Sequence, residues 1–349
     1  MKISLLLIFT VFLIFTSCET DFDVNADWKE TTVVYGLLDQ SLDTQSVIVY
    51  KAFLGNESAY VLAQEADSIY YGENDLEVML FGVLDQDTIQ TIELEYTVTD
   101  NRFSAVADTI FSTEYSVEYI TNENLNTELV YHLMVRNLDT DNIVRSNTEL
   151  ISDLDISPGF GDVNFFKNDE YRNYTLRWES SANAIIYKPY LRFYYLEKSQ
   201  LTGEVTYNYI EQSFSERQSQ NANGGESMEL ELGGESFYYF VKNSIEENTS
   251  VTRINAEELN DGLPESSSWV GGIEFRFVVG GEAISQYVSI NNLPGLLFQD
   301  PPSFTNIENG IGIFSSRLNA KLEGLKLGNE SLVELANGEI TQDLDFINP

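Results

Sequence analysis

Cys18 is the only cysteine among 349 residues, and its surroundings suit lipid attachment. Thr16 and Ser17 are small residues immediately before it, residues 5–15 form an apolar run broken only by Thr10, and Lys2 supplies a basic start. Cleavage before the cysteine would free its amino group for acylation and its thiol to form a diacylglycerol thioether. The run is too short for a membrane span, which takes about 20 residues. An ordinary small-x-small cleavage site would leave the cysteine position unexplained. The pattern predicts removal of residues 1–17 and lipidation of Cys18. Several acyl chains, each contributing about 0.8 kcal/mol per buried methylene, would hold the chain firmly.

The remaining residues close off several chemistries. His132 is the only histidine, and its neighbours alternate so that it shares the solvent face of a strand with Val130, Met134 and Arg136. With one histidine and no second thiol, Cys–His nucleophiles and multi-histidine zinc sites are not available. A Ser–His–Asp triad would need His132, and no G-x-S-x-G elbow supplies a serine. No glycine-rich phosphate cradle occurs, since Gly271, Gly272, Gly280 and Gly281 flank a strand as turns. The turn at Asp139, Thr140, Asp141 and Asn142 lacks the spacing of an EF-hand loop and reads as a solvated hairpin turn. No catalytic residue, metal ligand or cofactor is assigned. Two carboxylates at a set separation could hydrolyse a glycoside, and 56 acidic residues leave that alternative open.

Charge and composition narrow the partners. There are 19 basic residues and a net charge of −37, one unit more negative once Lys2 is cleaved away. Nucleic acid is excluded as a partner, because its recognition needs Lys and Arg to neutralise phosphates. The acidic surface also resists lying on an anionic membrane face. A hydrophobic content of 43% and an aromatic content of 13% mark a folding chain rather than a disordered one.

The elements that would position any site are strands. Ile92, Leu94, Tyr96 and Val98 alternate with polar residues, and so do Tyr115, Val117 and Tyr119. The pattern repeats at Leu129–Val135, Met228–Leu232 and Ile273–Val279, giving half-buried antiparallel strands. The expectation is an all-β chain of two β-sandwich domains, the first immunoglobulin-like and the second larger, β-rich and holding few short helices. The divisions expected are a signal peptide over 1–17, a polar acidic tether over 18–30, the first sandwich over 31–151 and the larger domain over 152–349. Short helices are expected near residues 60–64, 255–259 and 330–336. Residues 174–178 and 187–195 read as two core strands of a fibronectin-like sandwich, and residues 211–227 as a flexible hairpin loop. Eleven of the 20 tyrosines lie between Tyr171 and Tyr287, with Trp178 and Trp269 nearby. An exposed aromatic binding patch is expected there, because Tyr194/Tyr195 and Tyr238/Tyr239 should point to opposite faces of their strands.

Glu19, Asp21, Phe22 and Asp23 after the cysteine resemble the acidic signal that exports Bacteroidota lipoproteins to the cell surface, with Thr20 interrupting the acidic run. Asp67-Ser68-Ile69, Asp87-Thr88-Ile89 and Asp108-Thr109-Ile110 resemble the O-glycosylation sequon of that phylum, making Ser68, Thr88 and Thr109 candidate acceptors. Residues 33–38, residues 51–55 and the Asn309, Gly310, Gly312, Phe314, Arg317 segment resemble a family of uncharacterised Bacteroidota outer-membrane lipoproteins. The resemblance implies an outer-membrane, lipid-anchored protein, cell-surface or facing the periplasm, whose partners are the membrane through its lipid and an outer-membrane transporter or a surface glycan. It transfers no catalytic residue. The expected function is a non-catalytic binding or assembly component, accessory to a TonB-dependent transporter by analogy. The alternative is a surface carbohydrate-active hydrolase with paired carboxylates. Packing is the role expected for Gly310 and Gly312, and pairing with an acid for Arg317.

Overall fold

The computed structural model describes residues 31–52, 69–99, 115–157, 159, 161–255, 272–291 and 304–347. Cys18, Glu19, Asp21, Asp23, Ser68, Thr109, Trp269, the 60–64 helix and most of the 255–259 helix lie outside them. Eight strands come first: β1 (Thr31–Asp39), β2 (Gln45–Ala52), β3 (Leu76–Leu84), β4 (Asp87–Glu93), β5 (Glu95–Thr99), β6 (Ser116–Thr121), β7 (Val130–Asn137) and β8 (Ile143–Glu149). They form two layers, β1-β2-β6-β5 and β4-β3-β7-β8. That is the immunoglobulin order, with strands A, B, E and D on one sheet and C, F and G on the other, plus β4 beside C. A tyrosine corner accompanies it. Tyr131 at the start of β7 is fully buried. Its hydroxyl accepts from the Asn126 backbone N–H at 2.7 Å and donates to Gln90 Oε1 at 2.7 Å.

The alternation around residues 92–98 describes two strands rather than one. β4 pairs with β3 in one layer and β5 with β6 in the other, so the chain changes sheets at Leu94. Ile92 and Leu94 are buried, whereas Val98 is 54% exposed. Apolar alternation cannot reveal such a switch, because both strands feed the same core.

The second half contains β9 (Asp155–Ser157), β10 (Phe166–Lys167), β11 (Glu170–Tyr171), β12 (Tyr174–Glu179), β13 (Ile186–Ser199), β14 (Val205–Ser213), β15 (Arg217–Gln218), β16 (Ser227–Leu232), β17 (Val251–Asn255), β18 (Ile273–Gly280) and β19 (Gly310–Leu325). β9-β12-β16 faces β14-β13-β18-β19, again the sandwich order A-B-E against C-F-G with one strand beside C. β10 and β11 pair separately, and β15 and β17 each pair with β13. Three helices join them among the described residues: α1 (Gly234–Ser244), α2 (Glu282–Asn291) and α3 (Asn329–Asn337). The last covers the helix expected over 330–336.

α1 overturns the strand reading of Tyr238 and Tyr239. Phe237, Tyr238 and Val241 are its buried face, and Tyr239 is 50% exposed because successive helical residues point about 100° apart. Aromatic residues favour strands intrinsically, and here packing against Phe165 and Phe193 decides otherwise. Residues 211–227 are also tied down rather than free. They end β14, supply β15, and bond back to Ser180 through Glu226 and Gly225.

Two apolar cores result, and consecutive residues divide them: Leu150 packs into the first and Ile151 into the second. The chain then returns, since Ile307 and Phe314 fill the first core. β19 runs parallel to β1 from Gly310 to Arg317, then antiparallel to β18 from Arg317 to Leu325. One sheet of ten strands therefore spans both sandwiches. At the changeover, Arg317 Nε donates to the buried Asp39 Oδ2 at 3.2 Å, and Asn319 Nδ2 donates to the same oxygen at 2.6 Å.

Gly312 is what lets β19 lie against β1. Its φ is +117°, and a Cβ there would sit 2.0 Å from the Val34 carbonyl oxygen. Gly312→Ala should therefore cost about 3 kcal/mol through strain and collision with backbone, read as a fall in melting temperature. Tyr131→Phe strips the Asn126 N–H of its partner, and should cost about 1–3 kcal/mol in urea unfolding.

Candidate binding face on the second sandwich

The outer face of β14-β13-β18-β19 gathers the polar chemistry of this half. Along β13, Tyr187, Leu191, Phe193 and Tyr195 enter the core, so Lys188, Tyr190, Arg192 and Tyr194 face outward. Register sets their neighbours: Arg192 lies between Glu211 and Glu274, Tyr194 beside Tyr209, and Tyr190 beside Arg276. Arg276 in turn lies beside Lys321.

These pairs form one network. Arg192 Nε meets Glu211 Oε2 at 2.6 Å, and its guanidinium stacks 4.4 Å from the Tyr209 ring centre. Arg192 also reaches Glu274 at 3.9 Å, and Arg276 Nε lies 3.4 Å from the same carboxylate. Tyr194 donates its hydroxyl to Glu274 Oε2 at 3.3 Å and stacks on Tyr207, ring centres 5.5 Å apart. Tyr194 and Tyr195 are both buried, against the expectation that one would be outside. The ion pairs and the rings of Tyr207 and Tyr209 cover Tyr194, leaving those two rings 44% and 51% exposed. The aromatic patch thus exists one strand away from where adjacent tyrosines pointed.

Electrostatics follow burial. Burial raises the Glu274 carboxyl above its ordinary value, against the lowering pull of Arg192 and Arg276. Burial also raises the Tyr207 hydroxyl, helped by Tyr194 and Glu274. For Arg192 burial works toward a lower value, and hydrogen bonds to Tyr194 and Glu211 overcome it to give a higher one.

Beside the network the β1–β2 turn, through Ser41 and Leu42, lines an open recess of about 490 Å³ together with Tyr190, Arg276, Val278 and Asn319. Glu211 and Glu274 are the carboxylates that could act as a pair here. Each is ion-paired to both Arg192 and Arg276, and Arg192 bridges the two. What the face offers is exposed rings, guanidinium groups and a recess.

The residues singled out in the sequence fall elsewhere. His132 is exposed on β7, with Tyr131 and Leu133 in the core. Thr88 is exposed on β4, beside the Asp85-Gln86 turn. Asp141 closes the β7–β8 hairpin and pairs with Arg136 at 2.7 Å. Trp178 is core, 1% exposed. Among the described residues no group of three or more His, Cys, Asp or Glu could hold a metal ion, and no helix is long and apolar enough to cross a membrane. Arg192, Glu211, Glu274 and Arg276 escaped the sequence reading because their partners come from three strands. The available signal was the period-two stripe Lys188, Tyr190, Arg192, Tyr194. Compared with protein-family models and with curated proteins, the chain matches none.

A carboxyl whose folded pKa is raised binds protons more readily in the native state, so it weakens stability as pH rises through the ordinary carboxylate range toward the raised value. Glu274→Gln should therefore raise the melting temperature at pH 7. The gain should shrink below pH 4.5, the ordinary value for this group, when both variants are scanned against pH.

Proposed function

We propose that this chain is a lipid-anchored, non-catalytic binding component of a Bacteroidota outer membrane, and that the outer face of the second sandwich engages a protein partner. The observation that carries this reading is Tyr207 and Tyr209, half-exposed over an Arg–Glu network and next to a 490 Å³ recess. Tyrosine and arginine dominate interface hot spots because each combines a large flat surface with a polar end. A recess beside them suits one anchoring side chain of a partner. The ion pairing of Glu211 and Glu274 supports binding over hydrolysis by a carboxylate pair, which requires an acid and a base facing a substrate between them. By analogy with lipoproteins that accompany TonB-dependent transporters, an outer-membrane transporter is the partner favoured.

In this reading Cys18 is lipidated, and Glu19, Asp21 and Asp23 direct export to the surface. A strongly acidic body is held off an anionic leaflet, which leaves the second sandwich free for a neighbour. Crosslinking in intact outer membranes should capture one stoichiometric partner with the wild-type chain. Tyr209→Ala should lower that partner's affinity about tenfold or more, with an unchanged melting temperature. Equal capture by the variant would remove the face from consideration. Separately, Cys18→Ala should release the chain from the envelope fraction, and continued pelleting would end the lipid reading.

A further inference from the structure

A second recess, of about 420 Å³, opens between the two sandwiches, away from the tyrosine face. β8 of the first sandwich brings Asn147 and Thr148, and α2 of the second brings Gln286. Phe304 adds an aromatic surface, and Ser316 lies on β19 where that strand passes between the domains. The walls are braced: Asn183 donates to the Leu150 carbonyl at 2.9 Å, and the Asn306 side chain bonds both backbone groups of Phe314, at 2.6 and 3.0 Å.

We infer that this groove is a separate binding site and that it takes a neutral saccharide of one or two rings. Its volume lies in the lower part of the range for small-ligand sites, about 300–1,000 Å³. Its polar groups are amides and hydroxyls, together with the carboxylates of Glu149 and Glu282, and among the described residues no Lys, Arg or His lines it. Amides offer both donors and acceptors, and carboxylates accept in pairs, which matches the hydroxyls of a sugar ring. The same carboxylates, on a chain of net charge −37, repel an anionic ligand. Phe304 supplies the flat surface on which the C–H face of a sugar packs. Ser316 Oγ is buried without a hydrogen-bond partner among the described residues, and a polar atom left so asks for a ligand or water to satisfy it.

The test uses the full lipid-anchored chain in detergent, titrated calorimetrically with maltose, cellobiose and glucose and, in parallel, with glucuronic acid. At least one neutral sugar should bind with a dissociation constant in the millimolar range or tighter, and glucuronic acid should bind at least about tenfold more weakly. Asn147→Ala and Gln286→Ala, both at exposed positions, should each weaken binding about two- to tenfold at an unchanged melting temperature. Ser316→Ala should also weaken it, while leaving the melting temperature equal or higher because an unpaired hydroxyl is removed. Tyr209→Ala should leave sugar binding intact, which separates this site from the proposed protein-binding face. Failure of all three neutral sugars to bind would overturn the inference. So would equal binding of glucuronic acid, or binding that survives the groove variants and disappears in Tyr209→Ala.

Discussion

β19 pairs in parallel with β1 over its first half and antiparallel with β18 over its second, so a single backbone carries the register of both sandwiches. Without it β1 would present an unpaired edge, the usual point of misassociation in sheets. The contact joins residues 278 apart in sequence, from Asp39 to Arg317. Loop-closure entropy grows only as the logarithm of that separation, so stability tolerates the distance well, whereas contacts this non-local slow folding. Gly312, by accepting a positive φ against Val34, is the local condition for that strand to exist.

Both recesses depend on this shared strand. The β1–β2 turn lines the recess beside the Arg–Glu network, and Asp39, buried at the end of β1, is held there by Arg317 and Asn319 from β19. Gln45 closes the turn by bonding both backbone groups of Asp39, each at 2.8 Å. The groove between the sandwiches has Ser316 one residue earlier on the same strand. At the far end of the second sandwich Arg253, 2% exposed, binds Glu197 together with the carbonyls of Glu246 and Leu344, and so pins the C-terminal segment to β17. Buried guanidinium groups that saturate their donors hold surrounding elements in one geometry.

Much of the architecture was legible as period-two alternation. Leu129, Tyr131, Leu133 and Val135 are buried, and so are Met228, Leu230 and Leu232 and the odd-numbered residues from Ile273 to Val279. Residues 174–178 and 187–195 do form two core strands of the second sandwich, one in each layer, paired with β16 and β18. Alternation reports one face of one strand, and says nothing of the partner. That is why the sheet change at Leu94 and the burial of both Tyr194 and Tyr195 were hidden. α1 and α2 were missed for a related reason: their aromatic and β-branched residues prefer strands, and tertiary packing overrides that preference, against the second core for α1 and along β19 for α2.

The sequence alone determined the all-β class, the scarcity of thiol and imidazole chemistry, and the strong acidity of the chain, because each depends on residue types and local spacing. It also placed the helix at α3 and the acid-pairing role of Arg317. Tertiary structure decided what joins to what. The candidate face takes Glu211, Arg192, Glu274 and Lys321 from four different strands, and the groove takes its walls from both sandwiches. Contacts between residues tens or hundreds of positions apart are set by sheet register, and register is fixed only when the strands meet.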